Sequence, residues 1–469
     1  MTGKRTIEEA VVSAAKRVDS EPATDNDKAP RRPKRKVAVL VGYCGTGYHG
    51  MQLNPPHRTI EGDLFQAFVK AGAVSQDNSN DPKKSSFLRA ARTDKGVHAA
   101  GNVVSLKMIV EDEDIVERIN SHLPEQIRVW GYVRTNKSFE CRKMCSSRIY
   151  EYILPTYALM SAKPSSALGQ RLANVKQVEP QALKDEATKF WQGMEDAYAA
   201  EGISAEDLIR IEKEAAEEAA KTKVQQDGTA RNLRLDEEAT EETPERKRVK
   251  AIANNYRRAY RAIPERIEQF REALKEYEGV HNFHNYTVGK GFKEASSTRV
   301  MKSLTVSDPM VINGTEWVSI KIHGQSFMLH QIRKMIAMAV LVVRCGVDKS
   351  KISDLFKDVK VGIPKAPALG LLLEQPVYDG FNSRLSRLGR DSVTFDPYEK
   401  EIDAFKHKFI YDRIYTQEAK ENEFHAFFAF IDTYRVSELL DYLTDTKSER
   451  VNAEPVDDED ELAAEDNEG

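Results

Sequence analysis

The run Leu88-Arg89-Ala90-Ala91-Arg92-Thr93-Asp94-Lys95-Gly96-Val97-His98-Ala99 gathers four basic side chains around one carboxylate. Asp94 stands among Arg89, Arg92, Lys95 and His98, and Gly96 offers a position where the backbone can take φ > 0. The stretch that follows, Asn102-Val103-Val104-Ser105-Leu106-Lys107-Met108, is rich in strand formers. Asp94 is therefore expected on a loop entering a strand, where scaffolds hold reactive groups. Nearby cations lower a carboxylate's pKa and keep it ionised. Such a carboxylate in basic surroundings suits nucleophilic attack on a substrate that is itself an anion. The same residues also suit a charged β-turn in which Asp94 caps backbone N–H groups. The pattern alone admits both readings.

Outward from this run, the 469 residues suffice for two domains, or for one large α/β body with extensions. Apolar residues make up 40% and charged residues 31%, which suits a packed core carrying solvated segments. The net charge of −4 argues neither for nor against a nucleic-acid partner, so its distribution matters more. Four cysteines in so long a chain point to a reducing compartment rather than a disulfide framework. No run of 18 apolar residues suggests a membrane span, and the start of the chain has no apolar signal core.

Residues 1–35 read as a disordered basic arm. Its cluster of Lys28, Arg31, Arg32, Lys34, Arg35 and Lys36, with Lys16-Arg17 upstream, suits a nuclear import signal or an arm touching RNA phosphates nonspecifically. A first folded half spans 36–157: a buried strand Val37–Tyr43, a glycine-rich turn at Cys44–Gln52, a helix capped by Thr59, and strands at Ile127–Val133 and Ser147–Leu154. In the last of these Arg148, Tyr150 and Tyr152 share a face, either as a base-stacking platform or as sheet-edge packing. Residues 158–255 read as a charged insert, partly helical and partly disordered. A second half, 256–379, begins with a helix near Pro264 and holds a loop at Gly279–Phe283. Strands at Thr298–Val306 and Trp317–Ile322 follow, then a helix Met328–Cys345 bearing His330, Arg333 and Lys334 near its start. By pattern alone Arg333 suits a snorkelling side chain as well as a site residue. Ser350 is expected to cap a short helix. His281 and His284 lack the further ligands of a zinc site, so no metal is expected. A helical extension over 380–450, notably Glu421–Leu443, and an acidic tail over 451–469 complete the chain.

The Asp94 run resembles, almost letter for letter, the active-site motif of TruA-type tRNA pseudouridine synthases, in the form of their eukaryotic multisite nuclear branch. Similar family stretches occur at Tyr43–Gln52, at Arg148-Ile149-Tyr150-Glu151-Tyr152, at Gly279–Phe283, around Arg333, and at Ala366-Pro367-Ala368-Leu369-Gly370-Leu371. The resemblance covers about 36–157 and 264–379 and leaves the insert out. It implies an α+β fold: two ferredoxin-like halves sharing an antiparallel sheet with a central cleft, plus the helical insert and extensions. The strand–helix–strands order, met twice and without a phosphate-loop signature, points to the same two halves.

The implied reaction converts uridine within RNA to pseudouridine and needs no cofactor. A glycosidase would use two carboxylates with separate roles, whereas the motif offers Asp94 alone. Asp94 could attack C1′, act as a base at C2′, or add to the uracil. The target must leave the base stack. By resemblance, Arg92 fills the space so vacated, Tyr150 lies against the uracil, and Arg333 pairs with Asp94. Arg89, Lys95, His98 and Arg148 are candidate RNA contacts that would make binding salt-dependent. The expected partner is tRNA, with snRNA and mRNA as further substrates. A nuclear location, a monomer and no membrane association are expected as well. The competing readings are a noncatalytic RNA-binding or chaperone protein on the same fold, and a nuclear scaffold using the charged insert and tails.

Overall fold

A computed structural model describes residues 32–175, 178–211, 213–214, 243–433 and 438–445. Expectations for the arm before Arg32, the middle of the insert and the tail over 451–469 lie outside the described residues. Ten strands make one sheet: β1 (Arg35–Tyr43), β2 (Leu88–Arg89), β3 (His98–Met108), β4 (Ile127–Arg134), β5 (Ser147–Pro155), β6 (Gly279–Asn282), β7 (Thr298–Val306), β8 (Met310–Ile312), β9 (Thr315–Gly324) and β10 (Leu371–Val377). Their order is β4-β1-β3-β10-β5-β9-β7-β6, with β2 added to β3 and β8 to β9. The fold is α+β.

The seam between the halves is more intimate than two sheets meeting edge to edge. β10 comes from the second half of the sequence and inserts between β3 and β5 of the first. Among the described strands the antiparallel expectation fails only at β10 and β3, which run parallel with Leu372 opposite His98 and Leu373 opposite Ala99. Each strand of the seam thus pairs with at least one strand of the other half, and the Asp94 run leads directly into one of them.

Alternation along the strands sorts side chains to two covered faces. Val37, Val39 and Val41 pack with Leu64, Phe65 and Phe68 of helix α1 (Ile60–Lys70). Ala38 and Leu40 point the other way, toward Phe139, Tyr378, Phe381 and Phe395. Thr59 caps α1 as its sequence suggests, its hydroxyl accepting from Gly62 N at 3.3 Å. In the second half, helix α2 (Pro264–Lys275) and helix α3 (Gln331–Cys345) cover the sheet, and almost the whole of α3 is buried. α3 ends at Gly346, whose φ of 61° suits a residue with no Cβ.

Several expectations change. The Gly279–Asn282 loop is an edge strand paired with β7. β3 starts four residues earlier than its β-propensity implied, because pairing with β1 and β10 carries the ladder back to His98. α3 starts at Gln331 rather than Met328, since His330 takes a left-handed turn. Ser350 is the first residue of the short helix rather than its cap: Lys349 holds the cap position, and Asp348 Oδ1 accepts from Ser350 N at 2.8 Å. The expected helix Glu421–Leu443 is interrupted at Asn422, with φ of 54°. The extension is also no appendage. Lys406 reaches the rear of the seam and bridges Glu151 of β5 (3.0 Å) and Glu374 of β10 (2.8 Å).

Candidate active site

Asp94 sits on a loop whose backbone is tied down on all sides. Tyr43 Oη and Thr93 Oγ1 share a buried hydrogen bond of 2.8 Å at the end of β1. Asn102 Nδ2 donates to Ala91 O (3.0 Å) and to Tyr43 Oη (3.2 Å). Arg148 Nη2 donates to Ala90 O at 2.9 Å. Met51 N donates to Thr93 O at 3.0 Å, and Val97 N donates to Asp94 O at 3.1 Å, closing the turn. The glycine-rich stretch lies directly beneath this loop. A Cβ on Gly45 would stand 2.2 Å from Val97 O, and one on Gly50, whose φ is +83°, would stand 2.8 Å from Thr93 O. These glycines allow two backbone segments to touch, which is the tight-turn reading of their spacing.

The loop is rigid, but its carboxylate is open: the Asp94 side chain is 42% exposed. Two neighbours come from different parts of the seam. Tyr150 of β5 is half-buried, lies between Leu373 and Ile322 in the ladder, and meets Phe327 edge-on at 5.1 Å. Burial pushes its phenol well above the usual range, Arg148 opposes this, and the charge of Asp94 adds to the rise. His330 approaches from the second half, with Nδ1 at 3.7 Å from Asp94 Oδ2. Arg333 follows in the first turn of α3. Its Nε donates to Ala366 O at 2.6 Å, and Ala366 N returns a bond to Arg333 O at 3.2 Å. Tyr152 Oη donates to Pro367 O at 2.7 Å, so the Ala366–Leu371 segment is anchored from β5 as well. A single carboxylate held rigidly, open to a ligand and faced by an aromatic ring and an imidazole can perform nucleophilic or acid–base work on one bond at a time.

Comparison with known proteins supports the same chemistry. Residues 273–379 match a family model described as tRNA pseudouridine synthase. The chain is 52% identical over 463 residues to tRNA pseudouridine synthase 1 of Yarrowia lipolytica, covering 94% of this chain and 85% of the relative. The chain belongs to the TruA-type tRNA pseudouridine synthase family. It is also 51% identical to tRNA pseudouridine synthase 1 of Saccharomyces cerevisiae, over 89% of this chain and 76% of the relative. A yeast tRNA pseudouridine(27/28) synthase is 38% identical over 75% of this chain and 86% of the relative. As a pseudouridine synthase the chain is an enzyme, and among its described residues no helix is long and apolar enough to cross a membrane.

The structure distributes the candidate residues of this synthase unevenly. Arg92 and Lys95 are exposed on either side of Asp94. Arg89 turns inward, with Nη2 donating to Glu61 Oε1 at 3.1 Å and Nε lying 3.0 Å from Oε2. Its charge holds α1 to the Asp94 loop. Arg148 is committed to Ala90 O, again as a brace for the loop. The expectation of a backbone-phosphate contact by His98 is corrected: the ring is buried, and Nδ1 accepts from Gly45 N at 3.1 Å. Burial pushes its pKa down to about 4, aided by Arg413. His281 and His284 diverge, each ring bonded to a different backbone carbonyl. Two features escaped sequence reasoning. The Gln52 Oε1 atom is buried without a hydrogen-bond partner among the described residues, although Gln52 lies in the recognised glycine-rich stretch. His330 was visible only as a polar residue near a helix start, and its contact with Asp94 depends on the left-handed backbone.

Proposed function

We propose that this enzyme isomerises specific uridines in tRNA to pseudouridine with Asp94 as the reacting carboxylate. The observation that carries this reading is the half-exposed Asp94 carboxylate on an immobilised loop at the seam of the halves. In this proposal the N1–C1′ bond breaks and the C5–C1′ bond forms while Asp94 contacts the sugar or the detached ring. Tyr150, held between two cores, offers a ring face to the uracil. Arg92, exposed two residues before Asp94, takes the space of the flipped base. Arg333, anchored through Ala366, keeps Asp94 charged and oriented. Lys95 adds a phosphate contact that salt would weaken.

Action on snRNA and mRNA, a monomeric state and a nuclear location belong to the same proposal. The location rests on the basic residues ahead of and at the start of β1, of which Arg32 and Arg35 also pair with Asp112 and Glu111. A fluorescent fusion with Lys28, Arg31, Lys34 and Lys36 changed to alanine tests it, and unchanged nuclear signal refutes it. The central test is Asp94→Asn. The expected outcome is tRNA binding retained and pseudouridine formation lost by at least about 10³-fold. Modification at the wild-type rate would remove Asp94 from the chemistry.

A further inference from the structure

The isomerisation has a proton requirement that Asp94 alone leaves open. The N1–C1′ electron pair departs with the uracil, C5 bonds to C1′, and the hydrogen originally on C5 must then leave as a proton. Its bonding pair returns to the ring, and N1 gains a proton, so the product is a neutral isomer. No oxidant or water atom enters. C5 must reach the same C1′ that Asp94 addresses, so the proton is lost beside this carboxylate.

Few groups near Asp94 suit that proton. Arg92 and Arg333 are cations without a lone pair to offer. The Tyr43 phenol is pushed up to about 12 by burial and already bonded to Thr93 and Asn102. The Tyr150 phenol is pushed higher still. The His98 ring faces Gly45 N, away from the opening. His330 differs. Its side chain is only 7% exposed, yet Nδ1 points to Asp94 Oδ2 at 3.7 Å. The residue adopts φ 57° and ψ 4°, a left-handed conformation, immediately before α3. Histidine is tolerated there but strained, and such strain persists where surrounding structure over-determines it. Here the turn is closed by Gln331 N to Met328 O (3.2 Å) and by Lys334 N to His330 O (3.0 Å). A right-handed residue at this position would carry its side chain elsewhere.

We infer that His330 accepts the C5 proton of the rearranged uracil and passes it to solvent. This rests on the reading of Asp94 as the reacting carboxylate. An imidazole is suited to the task because it can take and release a proton near neutral pH. At 3.7 Å the imidazole and the carboxylate leave no room for a ring between them, so the uracil edge would meet the pair from the side on which Asp94 is exposed.

The test uses His330→Gly in the full chain. Glycine relieves the positive φ and leaves a ring-sized gap, so folding is not endangered. A second variant, His330→Asn, keeps a residue that tolerates the left-handed turn. The substrate is tRNA carrying 5-tritiated or 5-deuterated uridine. Both variants should bind tRNA as the wild type does and release tritium about 10²-fold more slowly in a single turnover. A deuterium isotope effect should appear, and added imidazole should speed the glycine variant alone. An unchanged rate overturns the inference, and so does a slowed rate with neither isotope effect nor imidazole rescue. Asp94→Asn in the same assay separates the two readings. If that variant releases tritium normally, the Asp94 assignment has failed; if it is inert while both His330 variants are normal, only the His330 inference has.

Discussion

Tyr150 and Glu151 are neighbours on one strand and face opposite worlds. In front of β5, Tyr150 looks toward Asp94, a carboxylate that remains 42% exposed. Behind it, Glu151 is a carboxylate 3% exposed, bound by Lys406, Ser319 and Tyr411. Burial pushes the Glu151 carboxyl up, but Lys406 and the two hydroxyls outweigh it and hold its pKa below the usual range. The carboxylates of Glu151 and Glu374 in turn raise Lys406 against the opposing effect of burial. The rear network is closed, its charges consumed by one another. The front carboxylate is held by its backbone, and much of its surface is left to a ligand. Similar groups are therefore closed off on one face and open to a ligand on the other, and solvent access separates them.

That contrast can be broken from either side. The largest effect should come from the front: Asp94→Asn removes pseudouridine formation by at least about 10³-fold. The same change should move stability by no more than about 0.5 kcal/mol, because the amide has nearly the same shape and the loop's backbone bonds are kept. Denaturant unfolding beside a single-turnover assay checks both halves of the statement. At the rear, Lys406→Met removes the cation shared by Glu151 and Glu374, leaving Glu374 with the more exposed Lys321 at 3.6 Å. Breaking such a buried arrangement should cost about 3–5 kcal/mol, read as a lower unfolding midpoint. If Lys406→Met left stability untouched while Asp94→Asn unfolded the chain, the contrast would be inverted.

His98 offers a sharper, pH-dependent version. Its folded pKa of about 4 lies below the ordinary 6.5. As pH falls below 6.5 the unfolded chain takes up a proton that the folded ring refuses. Stability present above 6.5 is therefore lost as pH falls toward 4, by about 3 kcal/mol in all. Unfolding free energies measured from pH 7 to 4 should show this limb, and His98→Gln should flatten it. The smallest expected effect is at the edge of the site. Thr59→Ala removes the α1 cap and should cost about 1 kcal/mol. Because Ile60 N also donates to Gly50 O, the loss should be visible as faster amide exchange in the glycine-rich stretch.

Much of this protein was legible in its residues. The apolar run of β1, alternation in β5 and β9, the Thr59 cap and the turn chemistry around Gly96 are local properties. Each depends on periodicity or on what one side chain can do to its own backbone. The chemistry proposed for the Asp94 run could be read from the sequence because the reactive groups in it are adjacent. Other roles depended on distant partners. Arg89 and His98 look like surface charges within their own dodecapeptide, and only Glu61 and Gly45, brought in by α1 and the glycine turn, draw them inside. The insertion of β10 beside β3 has no local signal, since parallel pairing depends on where the second half docks.

The residues in order determined which groups could do chemistry: one carboxylate, its flanking cations and a tyrosine on a strand. Tertiary structure decided which of them remain available. It drew Arg89, Arg148 and His98 into holding the loop, and it brought His330 up to Asp94 by a left-handed turn. The physical reason is that covalent neighbours set propensity and charge locally, whereas burial and cross-strand docking set solvation and partner, and these depend on segments hundreds of residues apart.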